Sequence, residues 1–382
     1  MNSGAGGFDS HALPPPDPAA ALRFRSRLSP RSSATLHPAS DPSIDGPALE
    51  ASAVEVRELR EEDGEAVLRS FNRVSGAVDP GFRPRGLDAW RWRYFANPAG
   101  TRAALALDAE GRVLAHFGGS PQELRVGGAS LRATQGIDSF SLPEARRLGR
   151  RGLFVRVARH LAAMRGGRGA QRDPWFWGFP VPAARRIGVR ALGYEALRAQ
   201  PVLVLRSGSA PPAGVQAEAL EGAWLPELAG PLDELCTRLE DGSRVLADRR
   251  APVLAWRYLD APHAAYRLAA ARTRSGELHG LAVWRPASFE GRPAALVAEL
   301  LAVEGAEAPL TRWLVAGARA AGLERLVHLC SPYSTAFASL QELGWRVEAS
   351  SRLLVGRSFD RELPPRFWSE RWDYSLGDTD LV

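Results

Sequence analysis

A loop rich in arginine and glycine is the part of the sequence whose residue types best suit a binding site for an anion. It follows a strand-like run, residues 135–142, which ends at Pro143. The loop contains four arginines and two glycines, in the order Arg146, Arg147, Leu148, Gly149, Arg150, Arg151 and Gly152. From Leu153 onward, apolar residues recur at spacings of three and four, which predicts a helix.

A loop between a strand and the start of a helix is a place where proteins bind phosphate. The first N–H groups of a helix have no partner within the helix, the helix dipole favours an anion there, and glycine lets the backbone approach closely. Arginine adds charge-assisted, often bidentate, hydrogen bonds. The alternative is a solvated basic turn. Because Gly149 lies where a helix start needs a small residue, we expect phosphate binding.

The composition indicates a globular protein and argues against nucleic acid as a partner. The 382 residues suffice for about two domains with sizeable cores, and 45% of them are apolar. The net charge of +6 is small for this length. All 49 basic residues are arginine, which we attribute to a GC-rich coding sequence. Nucleic-acid binding needs a concentrated basic stripe, and only residues 146–151 approach one.

The cysteine and histidine pattern predicts a cytoplasmic protein without a metal site. Cys236 and Cys330 lie 94 positions apart and suggest no disulfide framework, which favours a reducing compartment. The seven histidines do not have the spacing of zinc ligands. No apolar run approaches the roughly 18 residues of a membrane span. The first residues have no continuous apolar core behind a basic start, so we expect no secretory signal there. We therefore expect no membrane association.

Two segments have the composition of a tail and a linker. Residues 1–52 are rich in Pro, Ala and Ser and cannot bury enough apolar surface to offset their ordering entropy, so we predict disorder there. Residues 207–214 form a Ser/Gly/Pro/Ala linker. The predicted domains are therefore residues 53–206 and 215–382.

The two predicted domains resemble each other in sequence. Trp92-Arg93-Tyr94 recurs 164 positions later as Trp256-Arg257-Tyr258. A Leu-Gly-aromatic motif at Leu192-Gly193-Tyr194 matches Leu343-Gly344-Trp345 near the end of the second half. Several shared motifs in one order predict an internal duplication of about 160 residues. The alternative is that such motifs are common in protein cores and recur here by chance.

Both halves alternate strands and helices, which indicates an α/β or α+β domain with a mixed sheet. This order of elements resembles the GNAT family of acyl-CoA N-acyltransferases. The segment Pro143-Glu144-Ala145-Arg146-Arg147-Leu148-Gly149 of this chain is similar to the acetyl-CoA loop of that family, which it matches through its glycine. Gly178-Phe179-Pro180 and the motif at Leu192 are similar to that family as well. The resemblance implies fold class α/β (α+β), with two tandem GNAT-like domains after the tail. Each domain would be a twisted mixed β-sheet flanked by helices.

The resemblance also implies an activity. An acetyl or other acyl group would pass from acetyl-CoA, the co-substrate, to a primary amine by direct attack in a ternary complex. The acceptor would be a small-molecule or sugar amine. Pantetheine would pair with the strand before the loop, and the pyrophosphate would bind N–H groups near the helix start. N–H groups near Phe140 or Ser141 would stabilise the oxyanion. The implied cofactor contacts are Phe140, Ser141, Leu142, Arg146, Arg147, Leu148, Gly149, Arg150, Arg151, Gly152 and Leu153.

Under this resemblance Asp138 is the candidate general base, because it lies on the cofactor strand beside the expected thioester. The alternative is a strand carboxylate paired with an arginine. Two features depart from the family. Arg151 stands where a small residue is expected, and residues 186–190 lack the tyrosine that often serves as general acid. Tyr194 is more typical of a core residue than of an acid.

The second half lacks the arginine loop. Glu304 and Glu307 stand at its predicted helix start, and two carboxylates there would repel a pyrophosphate. We therefore predict a degenerate second domain that binds no cofactor and could complete the acceptor site. Residues 377–380, Gly-Asp-Thr-Asp, could present carboxylates to a cationic acceptor, with a frayed acidic tail as the alternative.

Two other functions remain open from the sequence. One is a non-catalytic GNAT-like protein that binds CoA or a partner without turnover, which the missing tyrosine and Arg151 would explain. The other is an aminoacyl-tRNA-dependent transferase of the related tandem fold. The near-neutral charge argues against a tRNA surface. The sequence does not predict an oligomeric state.

Overall fold

The structure is a computed structural model that describes residues 54–79, 81–145, 152–209, 217–220, 225–240, 244–262 and 264–381. The predicted tail and most of the arginine loop lie outside these ranges. The elements of the first half are β1 (Glu55–Glu58), α1 (Gly64–Val78), α2 (Leu87–Tyr94), β2 (Arg102–Leu107), β3 (Val113–Val126), β4 (Ala129–Ser141), α3 (Leu153–Arg165), β5 (Trp175–Gly178), α4 (Pro182–Ala191) and β6 (Glu195–Arg206).

The second half repeats this succession of strands and helices. Its elements are β7 (Glu218–Leu220), α5 (Leu225–Leu239), β8 (Val245–Ala247), α6 (Ala251–Leu254), a π-helical turn (Ala255–Leu259), β9 (Arg267–Arg272), β10 (Leu278–Phe289), β11 (Arg292–Ala302), α7 (Glu307–Ala320), β12 (Arg325–His328), α8 (Thr335–Glu342), β13 (Arg346–Ser358), α9 (Pro365–Arg371) and β14 (Trp372–Asp373).

In the described ranges, all fourteen strands belong to one mixed sheet. Twelve of them follow the order β1-β2-β3-β4-β5-β13-β6-β12-β11-β10-β9-β7, while β8 pairs with β3 and β14. From the two edges inward, the series β1, β2, β3, β4, β5, β13 corresponds to β7, β9, β10, β11, β12, β6. The predicted α/β class, with a mixed sheet flanked by helices, is confirmed.

The centre of the sheet joins the two halves. Strand β13 lies between β5 and β6, and β6 lies between β13 and β12, so β6 and β13 each pair with strands of the other half. The resemblance in sequence implied a separate sheet in each half, whereas the described strands form one sheet. A free edge would leave N–H and C=O groups unpaired, and this exchange pairs them. The predicted linker therefore divides the chain but not the sheet.

Helix α3 packs on the strands that lead to the arginine loop. It begins at Leu153, as predicted, and buries Leu153, Val157 and Leu161 against β2 and β3. Met164, expected on the same face, is exposed. Helices α1 and α2 contribute to a separate core cluster that includes Trp90 and residues of β2 and β4. No helix within the described ranges combines the length and apolar character needed to cross a membrane.

Candidate functional site

A cleft opens where strands β4 and β5 separate. The two strands pair in parallel only over Ala133–Gln135 and Trp175–Trp177. Beyond these residues β4 continues to Ser141 while β5 ends at Gly178. The opening, which we call the β4–β5 cleft, has a volume of about 290 Å³. Its walls include residues 136–139, Phe154, 177–181, Tyr194, Asp380 and Leu381.

A bulge in β4 shapes one wall of this cleft. The register between β3 and β4 shifts between His116 and Gly118, and Asp138 adopts a left-handed backbone with φ of 44°. His116 Nδ1 donates to the carbonyl oxygen of Asp138 at 3.0 Å, which holds this conformation. Gly118 is required beside it, because an added Cβ would lie 2.2 Å from the hydroxyl oxygen of Tyr94.

The Asp138 carboxylate is tightly paired. Arg85 donates to it, the Tyr94 hydroxyl donates at 3.2 Å, and Arg93 lies 4.0 Å away. Burial opposes ionisation, but attraction to Arg93 and Arg85 outweighs it and lowers the pKa of Asp138 to about 2. The arginine pairing is the alternative that the sequence left open for this residue. A pKa this low is unfavourable for a general base, because a base works best when its pKa is near the operating pH.

The helix start that follows the arginine loop borders the cleft. Arg146, Arg147, Leu148, Gly149, Arg150 and Arg151 lie outside the described residues, so their predicted cofactor contacts stay predictions. Gly152 is the N-cap of α3, Leu153 is its first residue, and its first turn contains no acidic residue. Phe154, in that turn, lines the cleft. The first N–H groups of a helix have no partner within the helix, so this turn is of the kind that can offer N–H donors to an anion.

The other predicted cofactor contacts differ in what they can offer. The side chains of Phe140 and Leu142 are both buried in the core. The N–H of Leu142 also donates to the carbonyl oxygen of Leu114 at 2.9 Å, so this N–H is already paired and is poorly suited to contact a cofactor. Ser141 pairs with Ala115 of β3 and is half-buried. The part of β4 that lines the cleft lies just before these residues.

Tyr194 also lines the cleft, although the sequence favours a core position for it. Its ring is half-buried, and its N–H donates to the carbonyl oxygen of Gly188 at 3.2 Å. Burial raises the pKa of the Tyr194 hydroxyl above its ordinary value. The Leu-Gly-aromatic motif located this tyrosine in sequence, but only the fold shows that the end of α4 turns it toward the cleft.

A second cavity lies against α2, the π-helical turn and residues 377–380. We call it the junction cavity, and its volume is about 610 Å³. Its described lining carries six carboxylates and four arginines, so carboxylates outnumber arginines in its walls. These side chains are Glu123, Asp233, Asp248, Glu299, Asp378, Asp380, Arg93, Arg249, Arg250 and Arg257. Trp92 and Trp256 contribute aromatic surface. A cationic molecule with an apolar body suits such walls.

A buried ionic cluster in this cavity repeats the cluster around Asp138. The hydroxyl of Tyr258 donates to Glu299 at 2.6 Å, and Arg249 forms ion pairs with Glu299 at 2.9 Å and Asp378 at 2.6 Å. The arginine and the tyrosine each lie 164 positions after their counterparts, and the carboxylate 161. Those counterparts are Arg85, Tyr94 and Asp138.

The corresponding cleft of the second half is occupied by the chain itself. Strands β11 and β12 pair only over 295–297 and 326–328, after which β11 runs on. Residues 374–381, which we call the docked segment, begin in this opening. The N–H of Ser331 donates to the carbonyl oxygen of Tyr374 at 3.1 Å, and Ser375 Oγ donates to Glu299 at 2.9 Å. Residues 377–379 are buried, so they do not form the frayed acidic tail that the sequence left as the alternative.

The helix start of the second half differs from that of α3. Glu307 is the first residue of α7, and its carboxylate accepts a hydrogen bond from the N–H of Gly305 at 3.0 Å. A carboxylate of the chain thus lies where a phosphate would bind. This geometry and the docked segment are both unfavourable for a pyrophosphate at this helix start, and the absence of a cofactor from the second half stays a prediction.

Comparisons with known proteins identify the fold. No protein-family model and no curated protein sequence matches this chain. A solved protein of Enterococcus faecalis V583, described as a conserved protein of unknown function and probable N-acyltransferase, is 13% identical with a TM-score of 0.56. A GCN5-related N-acetyltransferase from Anabaena variabilis ATCC 29413 is 12% identical with a TM-score of 0.57. Another, from Kribbella flavida, is 17% identical with a TM-score of 0.53.

These similarities extend over most of each chain. They cover 80% of this protein, 73% of the first two structures and 71% of the third. At such low identity they establish the fold alone. The chain has the fold of GCN5-related N-acetyltransferases, as the resemblance in sequence predicted.

Proposed function

We propose that this protein transfers an acyl group from an acyl-CoA thioester, acetyl-CoA first among them, to a primary amine. The observation that carries the proposal is the position of β4 between two cavities. Its consecutive residues Gln135 and Gly136 line the junction cavity and the β4–β5 cleft respectively. Successive residues of a strand face opposite sides of a sheet. One strand can therefore bring a donor and an acceptor together.

The β4–β5 cleft suits the donor. Beyond Gln135, strand β4 has no pairing with β5, so an extended pantetheine chain can bind its edge as an added strand. The first turn of α3, without acidic residues, adjoins this edge and offers N–H groups to the pyrophosphate. The arginines of the preceding loop would add charge. This combination favours a nucleotide thioester over an uncharged ligand.

The junction cavity suits the acceptor. Its volume of about 610 Å³ is that of a small-molecule site, and its excess of carboxylates attracts an ammonium group. Transfer then requires that the amine lose a proton and attack the thioester carbon directly. We infer that the acceptor is a small-molecule or sugar amine and that both substrates are bound when reaction occurs.

Calorimetry with acetyl-CoA tests the donor site. We expect saturable binding to the full chain, weakened at least tenfold by Gly152→Glu, because that change adds negative charge where the pyrophosphate would bind. Gly152→Gln is the matched control, since it adds similar bulk without the charge and should weaken binding much less. Absence of binding, or equal effects of the two substitutions, would contradict the proposal.

A non-catalytic CoA-binding protein is the second candidate function. The low pKa of Asp138 favours it, because the carboxylate predicted as base is held by arginines. It predicts acetyl-CoA binding without release of free CoA thiol across a broad panel of amines and amino sugars. Saturable thiol release with one acceptor would exclude it and support the transferase.

A further inference from the structure

Asp380 belongs to both cavities. Among the described residues, it is the one that lines the β4–β5 cleft and also the junction cavity. As a residue it is exposed, and it borders both of these open spaces. Gln135, which is buried on β4, donates from Nε2 to Asp380 Oδ1 at 2.9 Å. Asp380 therefore stands where an amine in one cavity would meet a thioester in the other.

The second half of the chain holds Asp380 in this place. The guanidinium of Arg257 donates to the carbonyl oxygens of Gly377 at 3.1 Å and Thr379 at 2.6 Å. Arg249 pairs with the side chain of Asp378 at 2.6 Å. These contacts immobilise the docked segment up to the residue before Asp380. Arg257 belongs to the π-helical turn, a local irregularity that often accompanies functional positions.

The charges around Asp380 differ from those around Asp138. Arg93, Asp138 and Gln135 face Asp380, together with a backbone N–H. Desolvation by the protein atoms packed around its carboxyl raises the pKa of Asp380, Arg93 lowers it, Asp138 raises it, and the net shift is upward. Two neighbouring carboxylates thus differ in their affinity for a proton, a pattern that separates acid–base roles in enzyme sites. Asp138 stays ionised, and Asp380 is the better proton acceptor.

We propose that Asp380 is a catalytic residue, the general base that receives the proton of the attacking amine. This proposal rests on the proposed function. In the step, the bond between amine nitrogen and thioester carbon forms, and the bond between that carbon and sulfur breaks. One N–H proton passes to the Asp380 carboxylate and returns through solvent to the departing thiolate. Amine and acyl-CoA become amide and CoA thiol, with no other reactant.

The assignment gives the second half a role in catalysis. The docked segment fills the cleft of that half and carries a carboxylate into the first half. Gln135 becomes a positioning residue, because it holds the carboxylate oxygen without touching the reacting atoms. Gln135 and Asp380 are separated by 245 positions, so the sequence could offer residues 377–380 only as carboxylates for a cationic acceptor and gave no sign that Asp380 meets Gln135.

The test is steady-state kinetics of the full chain with acetyl-CoA and an amine that the panel identifies. Asp380→Asn should lower kcat at least 100-fold, within the range expected for loss of a general base, and should change the Kd for acetyl-CoA less than twofold. The acidic limb of the kcat/KM profile should disappear. Asp380→Glu keeps a carboxylate, so it should retain part of kcat. Its kcat/KM profile should keep an acidic limb, displaced to another pH.

Asp233→Asn is the comparison variant. It removes a carboxylate from the exposed rim of the same junction cavity without touching the cleft. We expect it to raise KM for the amine while the acidic limb remains. An Asp380→Asn variant with kcat within tenfold of wild type, or with the acidic limb intact, would overturn this assignment alone. Absence of turnover by the wild-type protein with every amine would overturn the proposed function and this assignment with it.

Discussion

The indole rings of Trp92 and Trp256 stack on each other and exchange hydrogen bonds. Their centroids are 5.3 Å apart, and the ring planes meet at 23°. Trp92 Nε1 donates to the carbonyl oxygen of Trp256 at 2.6 Å, and Trp256 Nε1 donates to that of Trp92 at 2.9 Å. Contacts of this reciprocal kind arise at a two-fold axis between equivalent surfaces. They join residues at the offset of 164 that the sequence repeat predicts.

Truncation of this pair should destabilise the protein. Trp92→Ala removes a buried ring together with the Nε1 donor to the carbonyl oxygen of Trp256, so we expect a loss of about 3 kcal/mol in the free energy of unfolding. Trp92→Phe keeps an aromatic ring and should cost about half as much. Chemical denaturation measures both. A loss below about 0.5 kcal/mol for the alanine variant would contradict the packing described here.

Acid should remove the stabilisation that Asp138 provides. Its folded pKa of about 2 lies below the ordinary 3.8, so its contribution is present above about pH 4 and is lost as the pH falls toward 2. The shift corresponds to about 2 kcal/mol. Asp138→Asn should flatten this part of the pH dependence of unfolding, measured by denaturant titration. Asp88→Asn, an equal charge change at an exposed site, should not.

The closeness of Gly118 to Tyr94 predicts a specific pair of variants. Gly118→Ala places a methyl group 2.2 Å from the Tyr94 hydroxyl oxygen, which should cost about 2 kcal/mol and lower Tm by several degrees. Addition of Tyr94→Phe removes that oxygen and should restore part of the loss. Gly208→Ala is the control, because no atom lies within 4 Å of its added Cβ. Additive effects of the first two substitutions would argue against the clash.

Release of the docked segment should be visible by hydrogen exchange. Arg257→Met removes two hydrogen bonds to backbone carbonyls of that segment and keeps an apolar side chain of similar length. We expect faster amide exchange over 374–381 and a reduced kcat, with acetyl-CoA affinity unchanged. Arg366→Met removes an exposed arginine that pairs with Glu370 and serves as control. Unaltered exchange in the Arg257 variant would show that other contacts hold the segment.

The sequence alone determined the local features of the site. The residue pattern located the second part of β4, from residue 135, and the start of α3 at Leu153. The repeated Trp-Arg-Tyr motif identified Trp92 and Trp256 as equivalent positions of the two halves. The strand and the helix start depend on residues within a few positions of each other, so a single sequence is enough to recognise their periodicity. The resemblance to GNAT proteins rested on the same local motifs, and the fold agrees with it.

Only the tertiary structure decided which distant groups meet. It paired Asp138 with Arg85, 53 positions away, and thereby weakened its case as a base. It exchanged β6 and β13 between the halves and brought Asp380 beside Gln135. Contacts of this kind are set by which surfaces pack together after the elements form, and no spacing in the sequence encodes them. The chemistry of the site is therefore determined by packing, and its location by local sequence.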